Sequence, residues 1–386
     1  MRLKLNQPGA ASQPAPVRLP ALELIVARFA PEIVQWQQSH GRNSLPWQNT
    51  RDPYRVWLSE IMLQQTQVTT VLAYYSRFLG RFPAVSDLAA ASQDEVMALW
   101  SGLGYYSRAR NLHLCAQQVM ALHDGQFPDS AGPLQTLPGI GRSTAAAIAS
   151  FCFGERVAIL DANVKRVLTR VLGFSGDLAQ SAQERLLWCQ AEDLLPRENL
   201  PQAMPPYTQG LMDLGATVCT GRQPKCLLCP VHTLCRARAE GQPEIYPVKT
   251  RKLKRSSQSI NLLWAQRPDG SVWLEKRPAT GIWSGLYCLP VFESQENLTA
   301  LLSEKLKEPI KPLPTFVHVL THKDLHLSPW LASFQAGQDM PASLLPDARP
   351  AAWFSPAAWP ALGLPAPVRK LLAQDAHGPA GDSAPE

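Results

Sequence analysis

The sequence predicts an α-helical region followed by a smaller α+β domain, and three features of the chain indicate this. Apolar residues recur every three or four positions from about residue 22 to 238, as amphipathic helices require. Four cysteines lie close together at the end of that stretch. Beyond a basic linker, two β-rich runs flank Asp269-Gly270, which is a typical hairpin turn.

The composition is that of a folded protein. The chain has 386 residues, of which 45% are hydrophobic and 18% charged, so wholesale disorder is excluded. Its formal net charge of +6 favours a polyanionic partner only weakly. No apolar stretch approaches the ~20 residues of a membrane helix, and the basic N-terminus has no apolar core before its prolines. We therefore expect a cytoplasmic protein without a membrane partner.

One predicted helix contains an acidic residue in apolar surroundings. Asp52-Pro53 predicts the helix start, because a capping side chain precedes proline at the first helical position. Glu60 lies farther along on a largely apolar face, where burial disfavours the charged form and favours an acid that can donate a proton. The alternative is a glutamate at the helix edge, paired with Arg55 or Arg77.

A glycine turn lies in the middle of the helical region, in the segment LPGIGRSTAAAIAS at residues 137–150. Gly139 and Gly141 permit a tight turn with exposed backbone N–H groups. A helix N-terminus with free N–H groups binds anions such as phosphate. The same turn is equally suited to a plain connection between two helices, and the residues alone leave both interpretations open.

A second carboxylate follows this turn. Asp161 comes after the apolar run VAIL and before a helix, at the position of an N-cap. It is either a cap alone or a carboxylate kept ionised by backbone N–H groups at the positive helix end. Such an anion suits the stabilisation of a sugar oxocarbenium ion. With a protonated Glu60, it would supply the two acids of glycoside-type cleavage.

The eight cysteines form two populations. Four have the spacing C-x6-C-x2-C-x5-C, which predicts a compact metal loop: Cys219, Cys226, Cys229 and Cys235. Zinc and an iron–sulfur cluster both suit these ligands, and the spacing alone favours zinc. The others are scattered singly in apolar contexts and are expected to be small buried core residues: Cys115, Cys152, Cys189 and Cys288.

Taken together, these motifs resemble the endonuclease III family of DNA glycosylases. The cysteine loop is similar to that family's [4Fe–4S] loop, and residues 137–150 resemble its DNA-gripping helix–hairpin–helix motif. The segment WLSEIMLQQTQV closely resembles the corresponding helix of the MutY-type adenine glycosylases. The resemblance implies a helix–hairpin–helix glycosylase core with an iron–sulfur loop, one [4Fe–4S] cluster on the four clustered cysteines, and a Nudix-like α+β domain.

The resemblance also implies a mechanism. Glu60 is the acid that protonates adenine, Asp161 stabilises the cationic sugar, and Asn163 helps to place the water or the sugar. Ala162 stands where the family more often has glycine. Ser143 stands where lyase members have a lysine that forms a Schiff base, so base removal without strand cleavage is expected. Lys165 is expected to contact phosphate.

Recognition of the mispair is implied by two further segments. Residues 102–111, GLGYYSRARN, interleave aromatic residues with Arg108 and Arg110, as stacking plus phosphate contact requires, although a helical turn with half-buried tyrosines is equally compatible. In the family, a tyrosine wedges next to the base opposite the adenine, and a glutamine fills the gap in the DNA helix. The resemblance assigns these and neighbouring positions as follows: Tyr105 and Gln65, with Thr66 and Leu103 near the lesion and Arg42 and Gln209 around the adenine pocket.

The C-terminal segment LEKRPATGIWSGLYCLP resembles a Nudix domain, but no acidic catalytic box follows Gly285, so nucleotide hydrolysis is not expected. MutY-type proteins sense 8-oxoguanine with this domain through an F-S-H-like triplet. Here the triplet is Leu320-Thr321-His322, which keeps the hydroxyl and loses the aromatic ring. Contact with the lesion is therefore expected from Thr321.

The expected organisation is a flexible tail at 1–20, a helical catalytic region at 21–240, a basic linker at 241–258, a Nudix-like domain at 259–372 and a second tail at 373–386. The expected function is a monofunctional glycosylase that removes adenine opposite 8-oxoguanine or guanine from double-stranded DNA, as a cytoplasmic, nucleoid-associated monomer. Two alternatives remain open, a bifunctional glycosylase/AP lyase and a non-catalytic DNA-binding protein stapled by zinc.

Overall fold

The computed structural model describes residues 19–250, 254–302, 309–341 and 349–375. Most of the two predicted tails, residues 251–253 of the basic linker, and residues 303–308 and 342–348 of the predicted Nudix-like domain lie outside these ranges. Within the described ranges, no helix is both long enough and apolar enough to cross a bilayer.

The predicted order, a helical region and then an α+β domain, is confirmed. The helices are α1 Leu22–His40, α2 Pro53–Leu63, α3 Val68–Arg81, α4 Val85–Ala90, α5 Gln93–Trp100, α6 Ser107–His123, α7 Ala131–Leu134, α8 Arg142–Ile148, α9 Ala162–Leu172, α10 Ser181–Asp193, α11 Leu200–Thr217, α12 Arg236–Ala239, α13 Gln295–Leu302 and α14 Ala366–Asp375. A π-helical turn, Ala149–Phe153, continues α8, and short 3-10 turns lie at Cys226–Leu228, Pro243–Ile245 and Trp359–Ala361. The strands are β1 Ser256–Gln266, β2 Val272–Lys276, β3 Tyr287–Cys288, β4 Val291–Phe292, β5 Lys311–Pro312, β6 Phe316–Val319, β7 Lys323–Ser333 and β8 Ala351–Phe354.

Contacts between residues divide the chain into two compact units. The first unit combines residues 1–49 with 146–251, and the second combines residues 50–145 with 252–386. The chain therefore passes from the first unit to the second and back again within the helical region. The α+β domain belongs to the second unit, together with the helices from α2 to α7.

The core of the first unit surrounds α9. Val164, Val167 and Leu168 lie on one face of this helix and are at most 1% exposed, as the three-and-four spacing of its apolar residues predicts. The neighbouring α11 packs against α1 at a glycine. A Cβ atom added to Gly210 would lie 2.8 Å from Cγ2 of Ile33, so only glycine allows this close approach.

In the second unit, α2 starts where the sequence predicts. Asp52 accepts a hydrogen bond from the backbone N–H of Tyr54 at 2.9 Å, and Pro53 occupies the first helical position. The buried rings of Phe78 on α3 and Trp100 on α5 pack edge to face with centroids 5.7 Å apart. This packing gives the helices a fixed support.

The α+β domain is built on a mixed, eight-stranded sheet with the order β3-β2-β1-β7-β5; β4 also pairs with β1, β6 with β7 and β8 with β2. β1 pairs in parallel with β7 along its whole length, from Ser256 opposite Lys323 to Gln266 opposite Ser333. The predicted hairpin joins β1 to β2, which are antiparallel. Gly270 in its turn has a φ of +78°, which favours glycine.

Within the second unit, hydrogen bonds hold the α+β domain to the helices. The hydroxyl of Ser101 donates to the carbonyl of Leu364 at 2.8 Å and accepts from Arg369 at 3.1 Å. Arg110 of α6 donates to the carbonyl of Ser284 at 2.6 Å. Helix α6 is therefore anchored directly to the α+β domain.

The cap of α2 generates a prediction about stability. Asp52→Ala should lower the free energy of unfolding by about 1 kcal/mol, because the Tyr54 amide loses its acceptor. Asp52→Asn keeps an acceptor oxygen and should retain most of the stability. Urea unfolding followed by circular dichroism measures both variants, and equal losses would contradict the capping role.

Candidate active site

Glu60 lies on α2, in the second unit, on a helix whose other face is core. Val56, Trp57 and Ser59 around it are buried, whereas Glu60 itself is half-buried. The expected apolar surroundings are present. Of the two arginines named as alternative partners, Arg55 forms an ion pair with Asp52 at 3.4 Å, and the guanidinium of Arg77 lies over the Tyr74 ring.

The C-terminal end of α2 is closed by a buried arginine. Arg108 is 8% exposed, and its Nη1 donates to the carbonyls of Ile61 and Met62 at 2.9 Å and of Gln64 at 2.7 Å. Its Nη2 donates to the hydroxyl of Thr66 at 3.1 Å. The expectation that Arg108 contacts phosphate is therefore wrong, because its guanidinium is occupied inside the protein. Leu103, expected near the lesion, is also buried.

Two residues with left-handed backbones line one cavity beside this arginine. Gln65 has a φ of 57° and Tyr105 a φ of 50°, although neither is glycine. Both line a cavity of about 270 Å³ that also includes Gln64, Asn111 and Gly139. The structure thus brings three predicted features to one cavity: Gln65, predicted to fill the DNA helix, Tyr105, predicted to wedge beside the opposite base, and the glycine turn.

The predicted sensing triplet reaches this place from the α+β domain. Leu320, Thr321 and His322 form the turn between β6 and β7, and the Thr321 hydroxyl is hydrogen-bonded to the Tyr105 hydroxyl. Arg255 holds the turn by donating to the carbonyls of Leu320 at 3.0 Å and Thr321 at 3.2 Å. The side chains of Thr321 and His322 are exposed and available to a ligand.

The glycine turn has the predicted geometry at only one of its glycines. Gly139 has a φ of +77°, and a Cβ added there would lie 2.8 Å from Cβ of Asn111. Gly141 has an ordinary φ and open space around it. The helix α8 follows directly, with Ser143 half-buried in its first turn, and Thr144 accepts a hydrogen bond from Gln64 at 3.3 Å.

Asp161 lies in the first unit and caps α9 as predicted. Its Oδ1 accepts from the backbone N–H of Val164 at 2.6 Å. Burial raises the pKa of Asp161; hydrogen bonds from the N–H groups of Val164 and Asn163 and the charges of Arg166 and Lys165 oppose this rise without cancelling it. Burial of Asp161 thus works against the backbone N–H groups that are expected to keep this carboxylate ionised.

Asn163 is fixed from two sides in the first turn of α9. Its Oδ1 accepts from Nη2 of Arg166 at 2.8 Å, and the same nitrogen donates to the carbonyl of Gly215 at 2.7 Å. Nε of Arg166 donates to the carbonyl of Cys219 at 2.7 Å. A Cβ added to Gly215 would lie 2.6 Å from Cβ of Asn163, so glycine lets α11 reach the start of α9.

The four clustered cysteines line a single cavity in the first unit, as the metal-loop prediction requires. Arg170, 1% exposed, donates to Sγ of Cys219 at 3.4 Å and to the carbonyls of Thr220 and Gly221 at 2.6 and 3.0 Å. Burial raises the pKa of Cys229 to about 12 and that of Cys235 to about 11, so metal binding would release protons.

Across the part of the chain that the structure describes, no three His, Cys, Asp or Glu side chains converge closely enough to hold a single metal ion. A [4Fe–4S] cluster binds each thiolate at a different iron, so its four sulfurs stand farther apart than around one zinc ion. An all-cysteine set around one cavity has the donor chemistry that a [4Fe–4S] cluster takes. Cys219, Cys226, Cys229 and Cys235 are the residues that would hold it.

The two residues expected around the adenine pocket are joined by a carboxylate that sequence reasoning missed. Asp213 of α11 is fully buried, and it accepts from the backbone N–H and the guanidinium of Arg42 at 2.9 and 2.7 Å. It also accepts from Nε2 of Gln209 at 2.9 Å. The spacing of four residues between Gln209 and Asp213 on one helix was the available signal.

The structure bears on two further expectations. Lys165, expected to contact phosphate, forms an ion pair with Glu184 of α10. Cys189 is exposed, whereas the other three scattered cysteines are buried as predicted. Its position on α10, beside the buried Trp188, places it on the opposite side of the helix from the core.

The chain is similar to known proteins over most of its length. Residues 58–191 match the HhH-GPD superfamily of base excision DNA repair proteins, and residues 261–374 match the NUDIX domain. The adenine DNA glycosylase of Buchnera aphidicola subsp. Acyrthosiphon pisum is 36% identical over 346 residues, which cover 89% of this chain and 96% of that protein. The human adenine DNA glycosylase is 42% identical over 228 residues, 57% of this chain and 41% of the human protein. A solved thermostable thymine-DNA glycosylase is 29% identical with a TM-score of 0.48, over 55% of this chain and 96% of that one.

A helical core with the glycine turn, matched by the base excision repair superfamily, defines the chain as a DNA glycosylase, a hydrolase of the N-glycosyl bond. The Nudix-like domain narrows this class. Since the Buchnera enzyme is 36% identical and is covered almost completely, the chain belongs to the adenine DNA glycosylase family, whose process is base excision repair. The resemblance found in the sequence is confirmed.

The close packing of α11 on α9 generates a prediction. Gly215→Ala should reduce the rate of base release about tenfold or more, because the new methyl group displaces the turn that bears Asp161 and Asn163. Gly80→Ala in α3 is the matched control, since no atom lies within 4 Å of its Cβ position. Single-turnover rates measure both, and a Gly215→Ala enzyme as fast as the control would contradict the proposed crowding.

Proposed function

We propose that this enzyme removes adenine mispaired with 8-oxoguanine or guanine from double-stranded DNA and leaves an abasic site without cutting the strand. The observation that supports this most directly is the hydrogen bond between Tyr105 and Thr321. These are the two residues that family resemblance assigns to the base opposite adenine, and they come from different domains. Their meeting supports a single recognition point built by both domains.

The recognition point has the chemistry that an opposite base requires. An aromatic ring at Tyr105 offers a stacking surface, and the exposed Thr321 hydroxyl can donate to or accept from a base edge. Gln65 lines the same cavity and would occupy the gap that the flipped adenine leaves. The triplet lacks the family's phenylalanine, so discrimination rests on the hydroxyl and on Tyr105.

The proposed acid is Glu60. Adenine leaves a nucleoside poorly as an anion, so protonation at N7 must accompany cleavage of the bond between C1′ and N9. A half-buried carboxyl on α2 with apolar neighbours is suited to supply that proton. Water then adds to C1′ of the cationic sugar, and the reaction ends with free adenine and an abasic site.

The proposed stabiliser of the sugar cation is Asp161. Its raised pKa follows from burial, and a partly desolvated carboxylate interacts strongly with a positive charge that forms beside it. Asn163 is held by Arg166 and cannot rotate freely, so it can direct the water or a sugar hydroxyl. Both residues lie within the first three positions of the same helix start.

The proposed contacts to the adenine base include Arg42 and Gln209. Both side chains are tied to the buried carboxylate of Asp213, which leaves part of each polar group free to meet a base edge. Because Ser143 cannot form an imine and Lys165 pairs with Glu184, the proposed reaction has no amine nucleophile at these positions.

We also propose that the four clustered cysteines hold one [4Fe–4S] cluster. When bound, the cluster would act as a structural cross-link of the loop at residues 219–235. Arg222 and Lys225 on this loop are exposed and suited to DNA phosphates. Arg166 and Arg170 connect the loop to α9, so the loop and the Asp161 end of that helix share one support.

A duplex assay tests the proposed reaction. With A opposite 8-oxoguanine or guanine, we expect adenine release and strand breaks only after alkali treatment. Glu60→Gln should abolish release and keep DNA binding, because the amide fills the same space without a transferable proton. Gel assays with and without alkali, with binding measured by anisotropy, report both results.

The outcomes separate the alternatives. Strand cleavage without alkali at the rate of base loss would support the bifunctional lyase, and binding without any release would support a non-catalytic protein. Turnover retained by Glu60→Gln would remove Glu60 from the acid role. Equal rates on A opposite 8-oxoguanine and on A opposite thymine would contradict mispair recognition.

The cofactor proposal has an independent test. Purified protein should contain roughly four iron and four sulfide per chain. Cys226→Ser should lower the iron content, whereas Cys115→Ser, at a buried position outside the loop, should leave it unchanged. Zinc found in place of iron in the purified protein would overturn the cluster assignment.

A further inference from the structure

We propose that Arg108 is a positioning residue for mispair recognition, because it holds Gln65 and Tyr105 in the left-handed conformations that direct both side chains into one cavity. This inference rests on the proposed function, in which these two side chains contact the DNA at the mispair. Arg108 itself contacts neither base nor sugar in this role. It acts through the two segments that it joins.

The geometry shows how one side chain joins them. On one side, Arg108 donates to the carbonyls of Ile61 and Met62 in the last turn of α2 and to the carbonyl of Gln64, directly before Gln65. This end of the helix is its negative pole, so a cation is favoured there. On the other side, Nη2 donates to the carbonyl of Gly104 at 3.2 Å, directly before Tyr105.

The same guanidinium also reaches the residues on the far side of each turn. Its Nη2 donates to the Thr66 hydroxyl at 3.1 Å, and its Cζ lies 5.4 Å from the centre of the Tyr105 ring. Gln65 is thus held between a bonded residue before it and a bonded residue after it. Tyr105 is held by the carbonyl before it and by contact with its own ring.

Positive φ angles at Gln65 and Tyr105 need such support. L-residues other than glycine disfavour this conformation, so a segment adopts it only when its surroundings impose it. Among the described residues, the hydrogen-bond partners of Arg108 are carbonyl oxygens and one hydroxyl, with no carboxylate among them. The charge is therefore used on the backbone of these two turns.

Only the planar fork of arginine can make these bonds at once. A lysine at this position would keep the charge but could reach the carbonyls from only one side. We therefore expect the Arg108→Lys protein to fold with α2 intact but to lose the hydrogen bonds to one of the two turns. Gln65 or Tyr105 would then relax towards ordinary φ angles, and its side chain would leave the cavity.

The test compares Arg108→Lys with Arg77→Lys. Arg77 is a matched control, because its guanidinium also lies over a tyrosine ring, at 4.4 Å, and donates to a main-chain carbonyl, but it is exposed and outside the cavity. Rates of adenine release are measured with saturating enzyme in a single turnover. This rate constant does not depend on the folded fraction, so a partly unfolded variant is still informative.

We expect Arg108→Lys to lower the rate on A opposite 8-oxoguanine about tenfold or more, as for the loss of buried hydrogen bonds from a charged donor. The preference for 8-oxoguanine over guanine should fall as well, whereas Arg77→Lys should change neither. A purely structural role would lower thermal stability and leave the preference unchanged. That result would overturn the inference.

A double-mutant cycle shows whether Arg108 acts through the two side chains. In a Gln65→Ala, Tyr105→Ala background, adding Arg108→Lys should cause no further loss of preference. An additive loss in that background would overturn the inference. A wild-type enzyme that does not release adenine from these mispairs would instead overturn the proposed function, so the two failures are distinguishable.

Discussion

The candidate site depends on one kind of interaction, the hydrogen bonds that buried and half-buried arginines donate to main-chain carbonyls. The site residues lie mainly in turns, and turns lack the repeated hydrogen bonds that fix helices and strands. Arg108 supplies those bonds for the segments around Gln65 and Tyr105. Arg166 and Arg170 do so for the start of the cysteine loop.

The same solution recurs in the second domain. Arg255 donates to the carbonyls of the turn that contains Thr321, and Arg110 donates to the carbonyl of Ser284. A guanidinium has five N–H donors in a fixed plane, so one side chain can satisfy several carbonyls that point in different directions.

Local signals predicted much of this fold. Asp52-Pro53, the Asp269-Gly270 hairpin and the Asp161 cap each depend on residues within about four positions, and the structure has all three. The functions of the arginines could not be predicted in the same way. Arg108 and its partner Ile61 are 47 positions apart, and Arg166 and Cys219 are 53 apart.

Sequence motifs predicted which residues form the candidate site but not which side chains hold those residues in place. Family motifs identified Glu60, Asp161, Tyr105 and Thr321, whereas Asp213 was missed because an acid near the end of an apolar helix resembles a surface residue in sequence. Its complete burial and its bonds to Arg42 appear only once the segment that follows α1 packs against α11, whereas its bond to Gln209 lies within α11. Charge in a sequence does not reveal whether water or protein surrounds it.

The parallel pairing of β1 with β7 brings two distant parts of the chain to the same end of the sheet. Ser256 and Lys323 are the first paired residues, so the linker before β1 and the Thr321 turn before β7 lie side by side at that end. Strand register is quantised, because a slip by one residue would move every side chain to the other face. The position at which the linker ends is therefore fixed relative to the Thr321 turn. Residues inserted before β1 can be tolerated only if they stay outside the paired strands.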